Sequence, residues 1–181
     1  ITTATVSYGH GLSASPLHLA AGYATLLNGG TRVSPTLLAR DTPPPQGPRV
    51  VSERVSAETR HMLRQVVMRG TASLGEVPGY QVGGKTGTAD KPKYTGGYWD
   101  DKTITTFASI LPAQDPTYVL IVTLDEPSVF AAGEERRTAG WTAVPVSSEI
   151  VRRVAPLLGL RPDFNPGVDG FQSYLTEVAA R

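Results

Sequence analysis

The chain centres on the stretch Val82-Gly83-Gly84-Lys85-Thr86-Gly87-Thr88-Ala89-Asp90, close to the midpoint of its 181 residues. Turn and helix signals precede this stretch, and two strand-like runs follow it. Alternate side chains on a strand point to opposite faces, so Lys85 and Gly87 are expected to share one face of a sheet. Thr86 and Thr88 then belong to the other face. An ammonium group beside a glycine places positive charge next to bare backbone, to which a peptide-like ligand can form hydrogen bonds.

The composition excludes several classes of function. A hydrophobic content of 40% with 18% charged residues indicates a globular domain with a hydrophobic core. The net charge of +1 gives no sign of a nucleic-acid partner or an anionic membrane surface. The absence of cysteine excludes disulfides, thiol catalysis and cysteine-based metal sites. Because no apolar run reaches about 18 residues, no transmembrane helix is predicted.

The amino terminus does not resemble a natural start. Ile1-Thr2-Thr3-Ala4 lacks the basic start and the apolar core of a signal peptide, and the chain does not begin with methionine. We therefore expect the sequence to be a piece of a longer protein.

Two helices are predicted before the central stretch. The first begins at Ser15 and Pro16 and ends at Gly29-Gly30. The second begins near Ser56 and ends at Gly70, and its expected buried positions are Met62, Leu63, Val66 and Val67.

Three antiparallel strands and a final helix follow. The strands are predicted at Tyr80–Ala89, Thr103–Leu111 and Tyr118–Asp125, the last buried on both faces, with loops at 90–102 and 126–140. The helix is predicted at Ala143–Leu158, with a buried stripe at Val146, Ile150, Val151, Val154, Leu157 and Leu158. We therefore predict an α+β fold in which helices cover a three-stranded antiparallel sheet. Residues 1–160 form this domain portion, and residues 161–181 form a tail with a short helix at Phe171–Ala180.

The triplet Lys85-Thr86-Gly87 matches one of three motifs shared by penicillin-binding proteins and class A β-lactamases. Other stretches extend the match in the same order along the chain: Tyr8–Ala20, Ala21–Gly30, Pro78–Asp90, Asp125-Glu126-Pro127 and Ala139–Ile150. Over residues 7–158 the sequence resembles the carboxy-terminal part of the transpeptidase domain of class B penicillin-binding proteins, and among these the septal division transpeptidases. The resemblance implies the penicillin-binding protein and serine β-lactamase-like fold.

The resemblance also implies a reaction and a set of roles. In this family a serine attacks the D-Ala-D-Ala end of a peptidoglycan stem peptide, and an amine of a neighbouring stem then takes the acyl group; β-lactams acylate the same serine. Lys85 would be catalytic, through its charge and a proton network, and Gly87 would let the substrate backbone approach. Thr86 belongs to the substrate-binding strand, although its side chain should anchor that strand. Thr88 would give its backbone N–H to the oxyanion and its hydroxyl to a carboxylate, which requires a local twist of the strand.

The chain departs from the family pattern in one respect. No serine is followed by lysine three positions later, and no Ser-x-Asn triplet occurs. We therefore expect the nucleophilic serine upstream of Ile1, so that this chain alone is inactive. We also expect an incomplete sheet, with one edge left exposed, paired with another chain or self-associated.

The remaining expectations concern ligands and alternatives. No cofactor or metal is predicted, since the spacing of His10, His18 and His61 fits no ligand pattern. The expected partners are stem peptides, β-lactams, the upstream remainder and divisome proteins, at the periplasmic face of the inner membrane with the anchor upstream. Tyr94, Tyr98 and Trp99 either contact a ligand or pack their loop, and the charged run at 134–137 is expected to be a solvated loop. The alternatives are a fragment of a β-lactamase or D,D-carboxypeptidase, and a non-enzymatic β-lactam sensor or divisome interaction domain.

Overall fold

A computed structural model describes residues 2–6, 12–42 and 44–164 of the chain. His10 and the helix predicted at Phe171–Ala180 lie outside these ranges. The described helices are α1 (Thr2–Val6), α2 (Pro16–Leu27), α3 (Glu53–Arg69) and α4 (Ala143–Val154), with a 3-10 turn at Ser73–Gly75. The described strands are β1 (Gly83–Pro92), β2 (Tyr98–Leu111), β3 (Tyr118–Asp125), β4 (Val129–Ala131) and β5 (Glu134–Arg136).

The main sheet is antiparallel and has the order β1-β2-β3, as predicted. The first strand begins at Gly83 instead of Tyr80, because the preceding residues form a turn in which Gln81 has a φ of 45°. The loop predicted at 90–102 is mostly strand. Pairing continues to Pro92 opposite Tyr98, so only residues 93–97 form the turn of a long hairpin.

Helices cover both faces of this sheet. On one face Ile110 of β2 packs with Leu27 of α2 and Leu63 of α3. On the other face Phe107 of β2 packs with Val144 and other residues of α4. These two clusters contain most of the buried apolar side chains, so β2 lies at the centre of the molecule and β1 and β3 form the edges of the described sheet.

The helix starts are set by serine caps. Ser15 Oγ accepts a hydrogen bond from the His18 N–H at 3.2 Å, as predicted for α2. The start predicted near Ser56 is wrong, because Ser52 caps α3 through the Val55 N–H at 3.2 Å. Ser56 is fully buried instead, and its hydroxyl accepts from the Gly29 N–H at 3.1 Å.

The predicted buried positions of α3 and α4 need correction. In α3, Leu63 and Val67 are buried but Met62 is exposed. The buried face of α4 consists of Ala143, Val144, Ser147, Ser148 and Val151, whereas Val146, Val154, Leu157 and Leu158 are exposed. The reason is that hydroxyls pair across the interface between β2 and α4: Thr105 with Thr142 at 3.1 Å, and Ser109 with Ser147 at 3.5 Å. Paired hydroxyls can be buried at little cost, and they occupy the positions that apolarity alone assigned elsewhere.

Three further segments differ from or add to the prediction. The edge strand β3 is only partly covered, with Val122 buried and Thr123 exposed, so it is not buried on both faces throughout. The loop predicted at 126–140 contains the hairpin β4–β5, whose turn has positive φ at Ala132 and Gly133. After α4 the chain returns to the turn that precedes β1, where the Asp163 N–H donates to the Gly79 carbonyl at 2.8 Å. None of the described helices has the length and apolar character needed to cross a membrane.

Candidate active site

Lys85 and Gly87 lie on the exposed part of the sheet face that α2 and α3 cover elsewhere. The β1–β2 register is regular from Gly83 to Asp90, and it pairs Lys85 with Ala108 and Gly87 with Thr106. Both residues are exposed, and the Lys85 ammonium donates to the Thr86 carbonyl at 2.8 Å. Within the described ranges Lys85 forms no ion pair, so its charge is not compensated by a carboxylate of this part of the chain.

The Thr86 side chain contacts the segment that follows α3. This side chain lies on the opposite sheet face and its Oγ1 is 2.8 Å from Thr71 Oγ1 in that segment. This contact holds β1 against the end of α3 and leaves the Thr86 side chain away from Lys85.

Thr88 also faces away from Lys85. Its hydroxyl accepts a hydrogen bond from the Ala139 N–H at 3.0 Å, just before α4. The local twist expected for this residue is not present, because pairing with β2 is regular on both sides of Thr88. The group that Thr88 can present to a ligand at the free edge of β1 is therefore its backbone. An edge strand leaves a row of backbone N–H and C=O groups without a neighbouring strand.

The surroundings of Gly84 and Gly87 in β1 differ in the space they leave for a side chain. A Cβ at Gly84 would lie 2.6 Å from the Phe107 ring and 2.7 Å from the Ala108 carbonyl oxygen, so the core excludes any side chain there. A Cβ at Gly87 would meet nothing closer than the Thr106 carbonyl oxygen at 3.9 Å. The described fold therefore has room for a side chain at Gly87, and its absence leaves the backbone beside Lys85 open.

The sheet face beyond Gly87 is polar. Thr106 and Thr123, which follow Gly87 across the sheet, share a hydrogen bond of 3.0 Å between their hydroxyls. The next row ends in a group of four charged residues that we call the hairpin-base cluster: Lys91, Lys102, Asp125 and Glu126. Lys91 Nζ lies 2.8 Å from Asp125 Oδ2 and 2.7 Å from Glu126 Oε1, and Lys102 Nζ lies 3.0 Å from Glu126 Oε2.

The contacts within the cluster favour the charged forms of Lys91 and Glu126. Hydrogen bonds first from Lys91 and then from Lys102 lower the pKa of Glu126, and the contacts with Asp125 and then Glu126 raise the pKa of Lys91. Two lysines thus offset two carboxylates, which leaves Lys85 as the uncompensated cation among the described residues of β1. Sequence reasoning missed this cluster. The available signal was a lysine six residues after Lys85 and two acidic residues at the end of a strand.

The aromatic residues predicted to flank the site belong to the hairpin. Tyr98 and Trp99 lie on β2, and Tyr94 is fully exposed in the turn. The ammonium groups of Lys93 and Lys102 lie 5.0 and 5.2 Å from the Trp99 ring centroid, which is cation–π distance. Contact of these rings with a ligand stays a prediction.

The charged run at 134–137 forms β5 and its continuation, and it is not an irregular loop. The Arg136 guanidinium lies 5.6 Å from the Trp141 ring centroid, and Arg137 donates to the Asp101 carbonyl. These contacts attach the small β4–β5 hairpin to the start of α4 and to β2.

The two histidines within the described ranges, His18 and His61, have ordinary structural contacts. The His18 ring nitrogen Nδ1 lies 3.1 Å from Ser15 Oγ, and the His61 ring lies 3.5 Å from the Gln65 amide. In the part of the chain that the structure describes, no group of three or more metal-binding side chains comes together.

The order of strands and helices and the Lys-Thr-Gly edge strand define the class of protein. Residues 1–151 match the family described as the penicillin-binding protein transpeptidase domain, and the chain belongs to this family. It is 38% identical over 171 residues to the probable peptidoglycan D,D-transpeptidase FtsI of Caulobacter vibrioides, covering 88% of this chain and 29% of that protein. It is 34% identical over 176 residues to the stage V sporulation protein D of Bacillus subtilis, covering 91% and 26% respectively.

Solved structures agree with this assignment. The transpeptidase domain of Burkholderia pseudomallei penicillin-binding protein 3 is similar with a TM-score of 0.77 at 38% identity, covering 88% of this chain and 47% of that one. Penicillin-binding protein 3 of Mycobacterium tuberculosis in complex with ampicillin is similar with a TM-score of 0.75 at 34% identity, covering 92% and 40%. The predicted fold and the resemblance to the transpeptidase domain of FtsI and penicillin-binding protein 3 are confirmed. The chain spans less than a third of these curated relatives and under half of these solved chains.

Proposed function

We propose that this chain supplies the Lys-Thr-Gly side of the active site of a serine-type peptidoglycan D,D-transpeptidase. The nucleophilic serine would lie in a preceding part of a longer protein, which we call the parent protein, and the chain alone would be inactive. One observation carries the proposal: the uncompensated Lys85 ammonium lies beside the open backbone of Gly87 on an edge strand. An extended peptide with a terminal carboxylate is complementary to such a strand in charge and in hydrogen bonding.

Each residue then has a role in acyl transfer. The serine Oγ attacks the carbonyl between the two terminal D-alanines, the C–N bond breaks and D-alanine leaves. An amine of a second stem peptide then attacks the ester and releases the serine. Lys85 would attract the substrate carboxylate and join the proton network, and the Thr88 backbone N–H would stabilise the oxyanion. Gly87 would admit the substrate backbone. Thr86 would act within the substrate-binding strand by holding it, through Thr71.

The relatives support the proposed ligand and location. Solved relatives were obtained in complex with ampicillin and with aztreonam, which supports β-lactam binding at the same strand in the parent protein. The relatives named as peptidoglycan transpeptidases support an extracytoplasmic location, and the similarity to FtsI supports a role in cell division. We therefore place the site at the periplasmic face of the inner membrane, with divisome proteins as partners.

Labelling with a fluorescent penicillin tests the proposal. The parent protein should form a covalent adduct, Lys85→Met should reduce its rate of formation by about 100-fold or more because a charge at the reacting centre is lost, and Lys93→Met should not change it. The isolated chain should not be labelled. Equal labelling rates for the parent protein and its Lys85→Met variant would contradict the proposal.

A further inference from the structure

We infer that Lys91 is a positioning residue for the proposed site: through its ion pairs with β3 it fixes the part of β1 on which the substrate would lie. The inference rests on the proposed function. Lys91 would not touch the substrate. It would act through the β1 backbone at Gly87 and Thr88.

The need for an additional restraint arises from the strand pairing. Pairing of β1 with β2 is regular from Gly83 to Asp90 and shifts between Asp90 and Pro92, at the position of Lys91. A strand at the sheet edge has a neighbour on one side only, and a register shift locally disrupts the hydrogen-bond ladder. The backbone at Lys91, three residues beyond Thr88, therefore lacks the regular pairing that holds the rest of the strand.

The Lys91 side chain supplies that restraint across the sheet. It extends from the edge strand β1 past β2 and reaches two carboxylates at the end of β3, Asp125 at 2.8 Å and Glu126 at 2.7 Å. The side chain is only 27% exposed. Isolated surface ion pairs contribute little, whereas networks with fixed partners contribute more.

The carboxylate partner is itself fixed. Glu126 also accepts from Lys102 at 3.0 Å, and its own backbone N–H donates to the Thr103 carbonyl at 2.9 Å. All three strands thus meet in the hairpin-base cluster, which lies on the sheet face that carries Lys85. A shift of β1 relative to β3 would break these contacts. The cluster therefore fixes the position of β1 along the strand direction relative to β3.

A second explanation would give Lys91 a purely electrostatic role. Without Lys91 the cluster would hold two carboxylates against the single cation of Lys102, which adds negative charge to the face where an anionic substrate binds. Loss of Lys91 would then slow the reaction by repulsion alone. The double variant Lys91→Met with Asp125→Asn separates the two explanations, because it restores the charge balance without restoring the tie between β1 and β3.

The experiment measures acylation of the parent protein by penicillin in single-turnover kinetics, with the dissociation constant and the acylation rate constant resolved separately. We expect Lys91→Met to lower the rate constant by about tenfold or more, since small displacements of a reacting geometry have effects of this size or larger. The melting temperature should change by only a few degrees. Lys91→Arg should restore most of the rate, and the charge-balanced double variant should stay slow. Lys93→Met, whose cation lies over Trp99 on the same hairpin, is the matched control and should react at the normal rate.

Three results would overturn the inference. A normal rate constant in Lys91→Met would show that β1 needs no such tie, and recovery in the double variant would assign the effect to charge. A rate that falls only in parallel with the folded fraction would make Lys91 merely structural. If the unmodified parent protein is not acylated at all, the proposed function fails first and the inference fails with it, so the two failures are distinguishable.

Discussion

At the scale of single residues, the strand β1 separates positions required by the fold from positions available for chemistry. Gly84 and Thr86 face the α4 side, where the Phe107 ring and Thr71 occupy the space around them. Lys85 and Gly87 face the open side, where the described fold does not use them for packing. The sequence predicted this alternation correctly. It could not predict which glycine is sterically required, because that depends on a ring 23 residues later in the chain.

Alanine at Gly84 and alanine at Gly87 should have different effects on stability. Gly84→Ala places a methyl group within 2.6 Å of the Phe107 ring and should destabilise the chain by about 1–3 kcal/mol, as overpacking does. Gly87→Ala meets nothing closer than the Thr106 carbonyl oxygen at 3.9 Å and should leave the unfolding free energy unchanged to within about 0.5 kcal/mol. Urea unfolding of the isolated chain measures both values. Equal destabilisation would mean that Gly87 is also a packing residue.

Gly87→Ala should nevertheless impair the site. In the parent protein the added methyl would stand where we propose that the substrate backbone lies, so penicillin acylation should slow by about tenfold or more. The measurement is the labelling rate at equal folded protein concentration. Labelling at the unmodified rate would argue against substrate approach at this position.

At the scale of elements, the strand centres and some of the helix ends could be predicted from local sequence, whereas the interfaces could not. The capped start of α2 at Ser15 and the end of α3 at Gly70 were predicted from residue type. The start of α3 was misplaced because Ser52 and Ser56 are both plausible caps, and only burial against Gly29 distinguishes them. The buried face of α4 was misassigned because Ser147 pairs with Ser109 of β2 and Ser148 donates to the Pro145 carbonyl, contacts that local apolarity cannot indicate.

The cap at Ser52 should contribute measurably to stability, unlike a serine on the exposed surface. Ser52→Ala removes the cap of α3 and should cost about 1 kcal/mol, within the range for such caps. Ser34→Ala, at an exposed position outside the helices, is the control and should be close to neutral. Thermal and urea unfolding of both variants provide the comparison. A neutral Ser52→Ala would indicate that the helix start is held by tertiary packing alone.

The hairpin-base cluster predicts a pH dependence with a definite sign. Contacts with Lys91 and Lys102 lower the pKa of Glu126 from its ordinary value of 4.5. A carboxyl group with a lowered pKa in the folded state contributes stability above its unfolded pKa, and this contribution is lost as the pH falls through the folded pKa. Carbon-detected NMR should give a titration midpoint for Glu126 below 4.5 that rises in Lys91→Met. A midpoint at or above 4.5 would mean that the cluster does not form in solution.

At the scale of the whole molecule, the chain has a core and a sheet whose two edges are not paired within the described residues. It covers about 47% of the Burkholderia transpeptidase domain with which it aligns. The motif order in the sequence predicted the family, because the order of motifs does not depend on contacts between distant segments. Sequence alone could not predict how far the β1–β2 hairpin extends past the end of β3. It also could not predict that β4 and β5 exist, since these features depend on contacts between distant segments.

The free edge at β3 should become covered in the parent protein. We expect outward-facing amides of Tyr118–Asp125 to exchange quickly with solvent in the isolated chain and at least about tenfold more slowly in the parent protein, because a neighbouring strand would bond them. Hydrogen exchange with mass spectrometry measures both, with the paired strand β2 as an internal reference. Identical exchange at β3 in the two proteins would contradict an incomplete sheet.

The central claim is that Lys85, Gly87 and Thr88 form one side of a serine acyl-transfer site whose nucleophile lies outside this chain. The most direct test is to label the parent protein with penicillin, digest it and locate the covalent adduct by mass spectrometry. The account predicts a single acylated serine that precedes Ile1, with no adduct on residues 1–181 in either the parent protein or the isolated chain. An adduct on any serine within residues 1–181 would contradict it.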